Sequence, residues 1–262
     1  MIRTTDLSIG YVRNAKQMVV QSDLHLQISR AEMLAVIGPN GCGKSTLLRT
    51  LGGLQPPLKG SVLVGGKELE KLNMQEKAAL FALVLTESVQ IPYCTVRQLV
   101  SMGRYPHTGR FGRLNRDDHL KVEEALERVH LRVLAQRLLT ELSDGERQRA
   151  LVAKALAQDT PLILLDEPTS HLDLSNKVEL MVLLRELARD TGKTILLSTH
   201  ELELALRLSD RIWLMKPQAG GIEEGTPSEL IAQQSLQHVF KNDLFGFELE
   251  TGRVQIFQKQ KP

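Results

Sequence analysis

The chain has 262 residues, 42% of them hydrophobic and 24% charged, with a formal net charge of +2. This is the composition of a globular protein large enough to bury a core without staples, and its near balance of charge argues against a nucleic-acid partner. No apolar run resembles a signal peptide or approaches the roughly 18–20 residues of a membrane span, and the two cysteines, Cys42 and Cys94, lack metal-ligand spacing and read as reduced thiols.

The first 35 or so residues read as short strands, with Leu7, Ile9 and Tyr11 alternating onto one face and Val19-Val20 and Leu24 to Ile28 supplying further strands. Leu34-Ala35-Val36-Ile37 suits a buried parallel strand, and Thr46 to Leu51 suits a helix. Breakers at Pro56, Pro57 and Gly60 mark a loop before a strand at Ser61 to Val64. A short helix is expected over 72–80, then a buried strand from Phe81 to Leu85. From about residue 88 the pattern turns helical. Thr95 is placed to cap a helix starting at Val96, and Val122, Ala125, Leu126 and Val129 form the apolar stripe of a helix over 116–130. Strands then alternate with helices again: 162–165, helix 175–189, 194–198, helix 201–208, 211–215, and a helix beginning at Pro227. In the tail, Phe245-Gly246-Phe247 and 254–257 could add an edge hairpin.

Three segments carry chemistry. Gly38-Pro39-Asn40-Gly41-Cys42-Gly43-Lys44-Ser45, with Thr46 next, matches G-x-x-x-x-G-K-[ST] between a strand and a helix. Its glycines let backbone N–H groups approach a phosphate at a helix N-terminus. Lys44 can reach the β and γ phosphates of a nucleotide, and Ser45 can offer its hydroxyl to Mg²⁺. The apolar run Leu162 to Leu165 ends in Asp166-Glu167. Asp166 suits the Mg²⁺ side through its water shell, and Glu167 suits a general base for the attacking water. Tyr11 is either a platform for stacking on a purine or a half-buried strand tyrosine.

Leu142-Ser143-Asp144-Gly145-Glu146 is similar to the ATP-binding-cassette signature Leu-Ser-Gly-Gly-Gln, with Asp144 and Glu146 as departures whose side chains are expected to face away or stay solvated. With the two preceding motifs, the chain resembles the nucleotide-binding subunit of an ABC transporter over residues 1–235. The resemblance implies an α/β P-loop NTPase (RecA-like) core with an N-terminal antiparallel β subdomain (1–87 and 158–235) and an inserted helical subdomain (88–157), followed by a tail (236–262). It implies ATP and Mg²⁺ as ligands, and a homodimer in which Ser143 and the Gly145 N–H hold the γ-phosphate bound by the opposite subunit. Ser170-His171-Leu172-Asp173 resembles the loop that crosses that dimer seam, and His200 the switch histidine that contacts γ-phosphate. The family's glutamine after the 81–85 strand is replaced here by Thr86. Its Mg²⁺ and water contact then falls to Glu87 or Gln90, or the loop couples differently; Glu87 is preferred because a carboxylate is a better Mg²⁺-side partner than a threonine hydroxyl.

Gly103-Arg104-Tyr105-Pro106 is similar to a segment of ATPases that serve iron-siderophore, haem and cobalamin importers. That resemblance implies a peripheral subunit on the cytoplasmic membrane face. It would pair with a many-helix permease dimer and, indirectly, a substrate-binding protein, and energise uptake of an iron complex or, alternatively, cobalamin. Val89, Ile91, Tyr93, Met102 and Tyr105 are the expected groove for a permease coupling helix. The rival readings are a cytosolic ATPase that moves nothing, which a single cassette with near-neutral charge disfavours, and an exporter.

Overall fold

The computed structural model describes residues 1–14, 16–29, 31–86, 91–109, 111–217, 219–240, 245–247 and 254–256. Ile2–Arg13 (β1) pairs antiparallel with Lys16–Leu24 (β2), and Gln27–Ile28 (β3) follows. Met33–Ile37 (β4) runs into Lys44–Leu51 (α1), then Lys59–Val64 (β5) and Lys67–Glu68 (β6). Met74–Leu80 (α2) leads to Phe81–Val84 (β7), and three helices come next: Val96–Met102 (α3), Arg116–Arg128 (α4) and Asp144–Ala157 (α5). The second half alternates: Leu162–Asp166 (β8), Leu174–Thr191 (α6), Thr194–Ser198 (β9), Leu202–Leu208 (α7), Arg211–Met215 (β10) and Ile222–Gly225 (β11). Pro227–Ala232 (α8), Ser235–Val239 (α9), Phe245–Phe247 (β12) and Val254–Ile256 (β13) complete the described elements.

Two sheets hold the architecture. One is six-stranded, in the order β11-β10-β4-β9-β8-β7, parallel except for its β11 edge; the other is antiparallel and built on β2-β1-β5-β6 with β3 beside β1. The parallel strands are apolar on both faces because both faces are covered, and strict alternation divides their side chains between two cores. Met33, Ala35, Ile163, Leu165, Ile195, Leu197, Ile212 and Leu214 join the core shared with the helices. Leu34, Val36, Leu162, Leu164, Leu196 and Trp213 join the core shared with α1 and the antiparallel sheet. The result is an α/β core with an antiparallel N-terminal sheet and a helical insertion, as the motifs implied.

The helical block between β7 and β8 is pinned by a buried ion pair. Arg104 Nε donates to Asp118 Oδ1 at 2.9 Å, and Arg104 Nη1 donates to the Ala157 carbonyl at 2.8 Å. Asp118 also closes the capping box of α4 with Asn115. A Cβ on Gly103 would stand 2.2 Å from the Lys154 carbonyl, so α3 and α5 meet backbone to backbone there. Gly103 and Arg104 are therefore packing residues of the block. The tail strands β12 and β13 pair with each other as a separate two-stranded sheet instead of extending an edge of either larger one.

Candidate active site

β4, β9 and β8 lie side by side, so whatever follows their C-terminal ends converges, as ligand sites do in parallel α/β sheets. The loop after β4 ends at Gly43, the N-cap of α1, at φ 107°. A Cβ there would lie 2.3 Å from Val20 Cγ1, so only glycine fits on both counts. Around Gly41, by contrast, a Cβ would meet nothing within 4 Å, leaving the loop open on that side. Lys44 is buried, with Nζ turned back to the Gly38 carbonyl at 3.0 Å and the Pro39 carbonyl at 3.5 Å. Ser45 and Thr46 occupy the first turn of α1, where free N–H groups and the helix dipole favour an anion. Burial pushes the Cys42 thiol above its ordinary range, outweighing the neighbouring Lys44 charge, so it stays protonated.

Two residues brace this loop, Gln21, which the sequence patterns did not single out, and Tyr11, which they did. Gln21, fully buried on β2, donates to the Cys42 carbonyl at 3.3 Å and the Lys216 carbonyl at 2.6 Å, and accepts from the Gly221 N–H. Its only sequence signal is a polar residue at an inward strand position. Tyr11 is half exposed, and its hydroxyl accepts from Thr46 Oγ1 at 3.2 Å, which sets the ring beside the first turn of α1.

Asp166 ends β8 almost completely buried. Its Oδ1 accepts from Ser198 Oγ at 2.7 Å, and its carbonyl accepts from Thr86 Oγ1 at 2.8 Å. Thr86 thus ties the end of β7 to the end of β8. Glu87, Val89 and Gln90 lie outside the described residues. Glu167 adopts φ 49°, a left-handed conformation rare for a non-glycine residue. Its N–H donates to Ser198 Oγ at 2.9 Å, and its carbonyl accepts from Ser170 N–H and Oγ. Glu167 Oε1 lies 3.2 Å from His200 Nδ1, and His200 is about two-fifths exposed. The sheet therefore brings Glu167 and His200 together directly. It also places Asp166 one strand away from β4, across β9.

Ser143 and Gly145 are held on another wall. Ser143 caps α5, and a Cβ on the buried Gly145 would stand 2.3 Å from Asn176 Oδ1. Asn176 itself bonds Asp173, the N-cap of α6, so α5 and the 170–173 turn form one unit. The two acids of this segment behave differently from each other. Asp144 is exposed and pairs with Arg147 at 2.8 Å. Glu146 lies at the exposed helix start and turns its Oε2 back to accept from Ser143 N–H at 2.8 Å and Ser143 Oγ at 2.9 Å. The Ser143 N–H and hydroxyl bonds hold the Glu146 carboxyl below the ordinary range. The physical reason is the capping box, which satisfies orphan N–H groups at the helix start.

The expected groove also divides. Ile91 and Met102 pack against the helical core, while Tyr93 and Tyr105 stand 87% and 57% exposed.

A glycine loop opening a helix after one strand, with a strand ending in two acids one strand away, defines a P-loop ATPase. The family model for the ABC transporter matches residues 21–170, and the chain belongs to that family of ATPases. It is 39% identical to the iron(3+)-hydroxamate import ATP-binding protein FhuC of Bacillus subtilis over 243 residues, covering 92% of this chain and 88% of that one. It is 35% identical to the ferric enterobactin transport ATP-binding protein FepC of Escherichia coli, over 91% of this chain and 86% of that one. A solved dimer of the ATP-binding cassette MJ0796, in a post-hydrolysis state with ADP and Pi, superposes with a TM-score of 0.74 at 27% identity, covering 87% of this chain and 99% of that one.

Proposed function

We propose that this chain is the ATP-hydrolysing subunit of an importer for iron–chelate complexes, working as a homodimer on the cytoplasmic face of a membrane permease supplied by a substrate-binding protein. Two iron-importer relatives matched over nine-tenths of the chain carry the substrate class. The chain's own means of reaching a membrane fits a peripheral role: among the described residues no helix is long and apolar enough to cross one. Among the described residues of the expected groove, Tyr93 and Tyr105 are the ones exposed on the helical block to meet a permease segment.

In this reading the loop of residues 38–45 binds the ATP phosphates, with Lys44 leaving the Gly38 carbonyl for them and Tyr11 lying under the purine. The hard oxygen donors of Ser45 and Asp166 suit Mg²⁺, which when bound neutralises phosphate charge. Glu167 takes the proton of the attacking water, and His200 orients Glu167 and the γ-phosphate. Ser143 and Gly145 complete the site of the second copy. ATP favours the closed dimer because it touches both subunits only there, and hydrolysis removes that preference.

The test is uptake in a strain lacking the gene. Labelled ferric siderophore or haem uptake should fall to background and return with the wild-type chain but not with Lys44→Ala. Loss confined to cobalamin uptake would replace the iron assignment, and undiminished uptake of all three would remove the importer reading.

A further inference from the structure

We propose that Ser198 is a positioning residue for ATP hydrolysis, whose single hydroxyl aligns the Asp166 carboxylate with the backbone of Glu167. The inference rests on the reading of Asp166 and Glu167 given above. Ser198 is the last residue of β9, fully buried, and its register partners are Val36 on the phosphate-loop strand and Asp166 on the acid strand. Of the β9 residues that lie between β4 and β8, Ser198 is the one opposite Asp166, and its side chain is a short hydroxyl.

The bonding directions are forced. An ionised carboxylate accepts only, and a backbone N–H donates only. The Ser198 proton must therefore go to Asp166 Oδ1, 2.7 Å away, while a lone pair receives the Glu167 N–H at 2.9 Å. With both partners set, the hydroxyl rotor is locked and the plane of the Asp166 carboxylate is fixed. Glu167 gains as well. Its left-handed backbone is anchored through its N–H by Ser198 and through its carbonyl by Ser170. Strained backbone of this kind persists only where neighbours over-determine it.

The next residues on the same strand end continue the link. Thr199 N–H bonds the Val36 carbonyl at 3.1 Å, Thr199 Oγ1 accepts from Glu201 N–H at 3.0 Å, and His200 meets Glu167. Lys177 of α6 holds Glu201 at 2.5 Å. The His200 segment thus reaches Glu167 directly, and Ser198, on the same strand end, joins both acids through one buried hydroxyl and positions the pair without touching substrate.

The experiment measures ATP binding by calorimetry on the full chain, with excess chelator and across a Mg²⁺ titration, for Ser198→Ala, Ser198→Thr and Asp166→Asn, alongside phosphate release and thermal melting. Ser198→Ala should keep chelator-state ATP affinity within about twofold while raising the half-saturating Mg²⁺ by about tenfold, the scale of losing one hydrogen bond to a charged group. Ser198→Thr, which keeps the hydroxyl, should restore most of that shift. An unchanged Mg²⁺ requirement in Ser198→Ala overturns the inference. So does loss of folding or of chelator-state binding in that variant, or a well-folded Ser198→Thr that fails to restore the Mg²⁺ response. If Asp166→Asn leaves the Mg²⁺ response unmoved, the site reading itself falls and takes the inference with it. If Asp166→Asn shifts it and Ser198→Ala does not, only the inference falls.

Discussion

Glu167 makes the sharpest single-residue demand at the site. It combines φ 49°, a carboxylate about one-fifth exposed, and a histidine nitrogen 3.2 Å away. A left-handed non-glycine costs on the order of 1 kcal/mol or more, and such strain gathers at functional positions. Glutamine keeps the size and the contact with His200 but cannot take a proton at neutral pH. Glu167→Gln is therefore expected to lower turnover by about 10²–10⁴-fold, the usual worth of a general base, with ATP affinity retained. Phosphate release and nucleotide binding on the same preparation check this, and gel filtration should show the variant held as an ATP-bound dimer. Normal turnover in Glu167→Gln would end its assignment as base. The motif spacing pointed to Glu167, while its backbone strain and its histidine partner emerged only from the fold.

At the scale of elements, the helical block depends on the buried Arg104–Asp118 pair, because Arg104, two residues past the end of α3, reaches Asp118 of α4 and the Ala157 carbonyl at the end of α5. Burial pushes the Asp118 carboxyl upward, but the Asn115 N–H and the Arg104 guanidinium more than offset this, so it titrates below the ordinary range. A depressed carboxyl contributes stability above its unfolded value of about 3.9 and loses it as pH falls through the folded value. Asp118→Asn should thus cost on the order of 3 kcal/mol at pH 7, by stranding a buried guanidinium. The gap to wild type should hold down to about pH 5 and close below about pH 4. Urea denaturation across that range measures it, and a gap independent of pH would show that the ion pair is not the source. The block's helices were legible from their stripes and from caps such as Thr95, which accepts from Gln98 N–H at 3.2 Å. Arg104 was legible only as part of a motif. Its burial follows from three helices meeting, which no local pattern encodes.

For the whole molecule, the proposed reading of Ser143 and Gly145 on the α5–α6 wall requires two copies to make one complete site. Specific ATPase activity of the isolated chain should therefore fall on dilution, with a quadratic dependence of rate on concentration well below the dimer constant. A dilution series read by phosphate release tests this, and constant specific activity at every concentration would show that one copy suffices. Glu146 bears on the same assembly. Its carboxylate occupies the Ser143 hydroxyl in the single chain, so in the proposed reading closure around a phosphate displaces that bond.

The sequence by itself determined the strands of the parallel sheet, the phosphate loop and the Asp166-Glu167 pair, because short continuous apolar runs and fixed motif spacing are local properties of a chain. It also carried Tyr11 as far as two alternatives, which the Thr46 contact narrowed to a ring beside the loop. Only the tertiary structure decided that β9 lies between β4 and β8, and hence that Ser198 reaches Asp166 and Gln21 reaches the Cys42 carbonyl. Strand order is set by how separate segments share two cores, and a buried hydroxyl or amide acquires its partners from that order rather than from its neighbours in the chain.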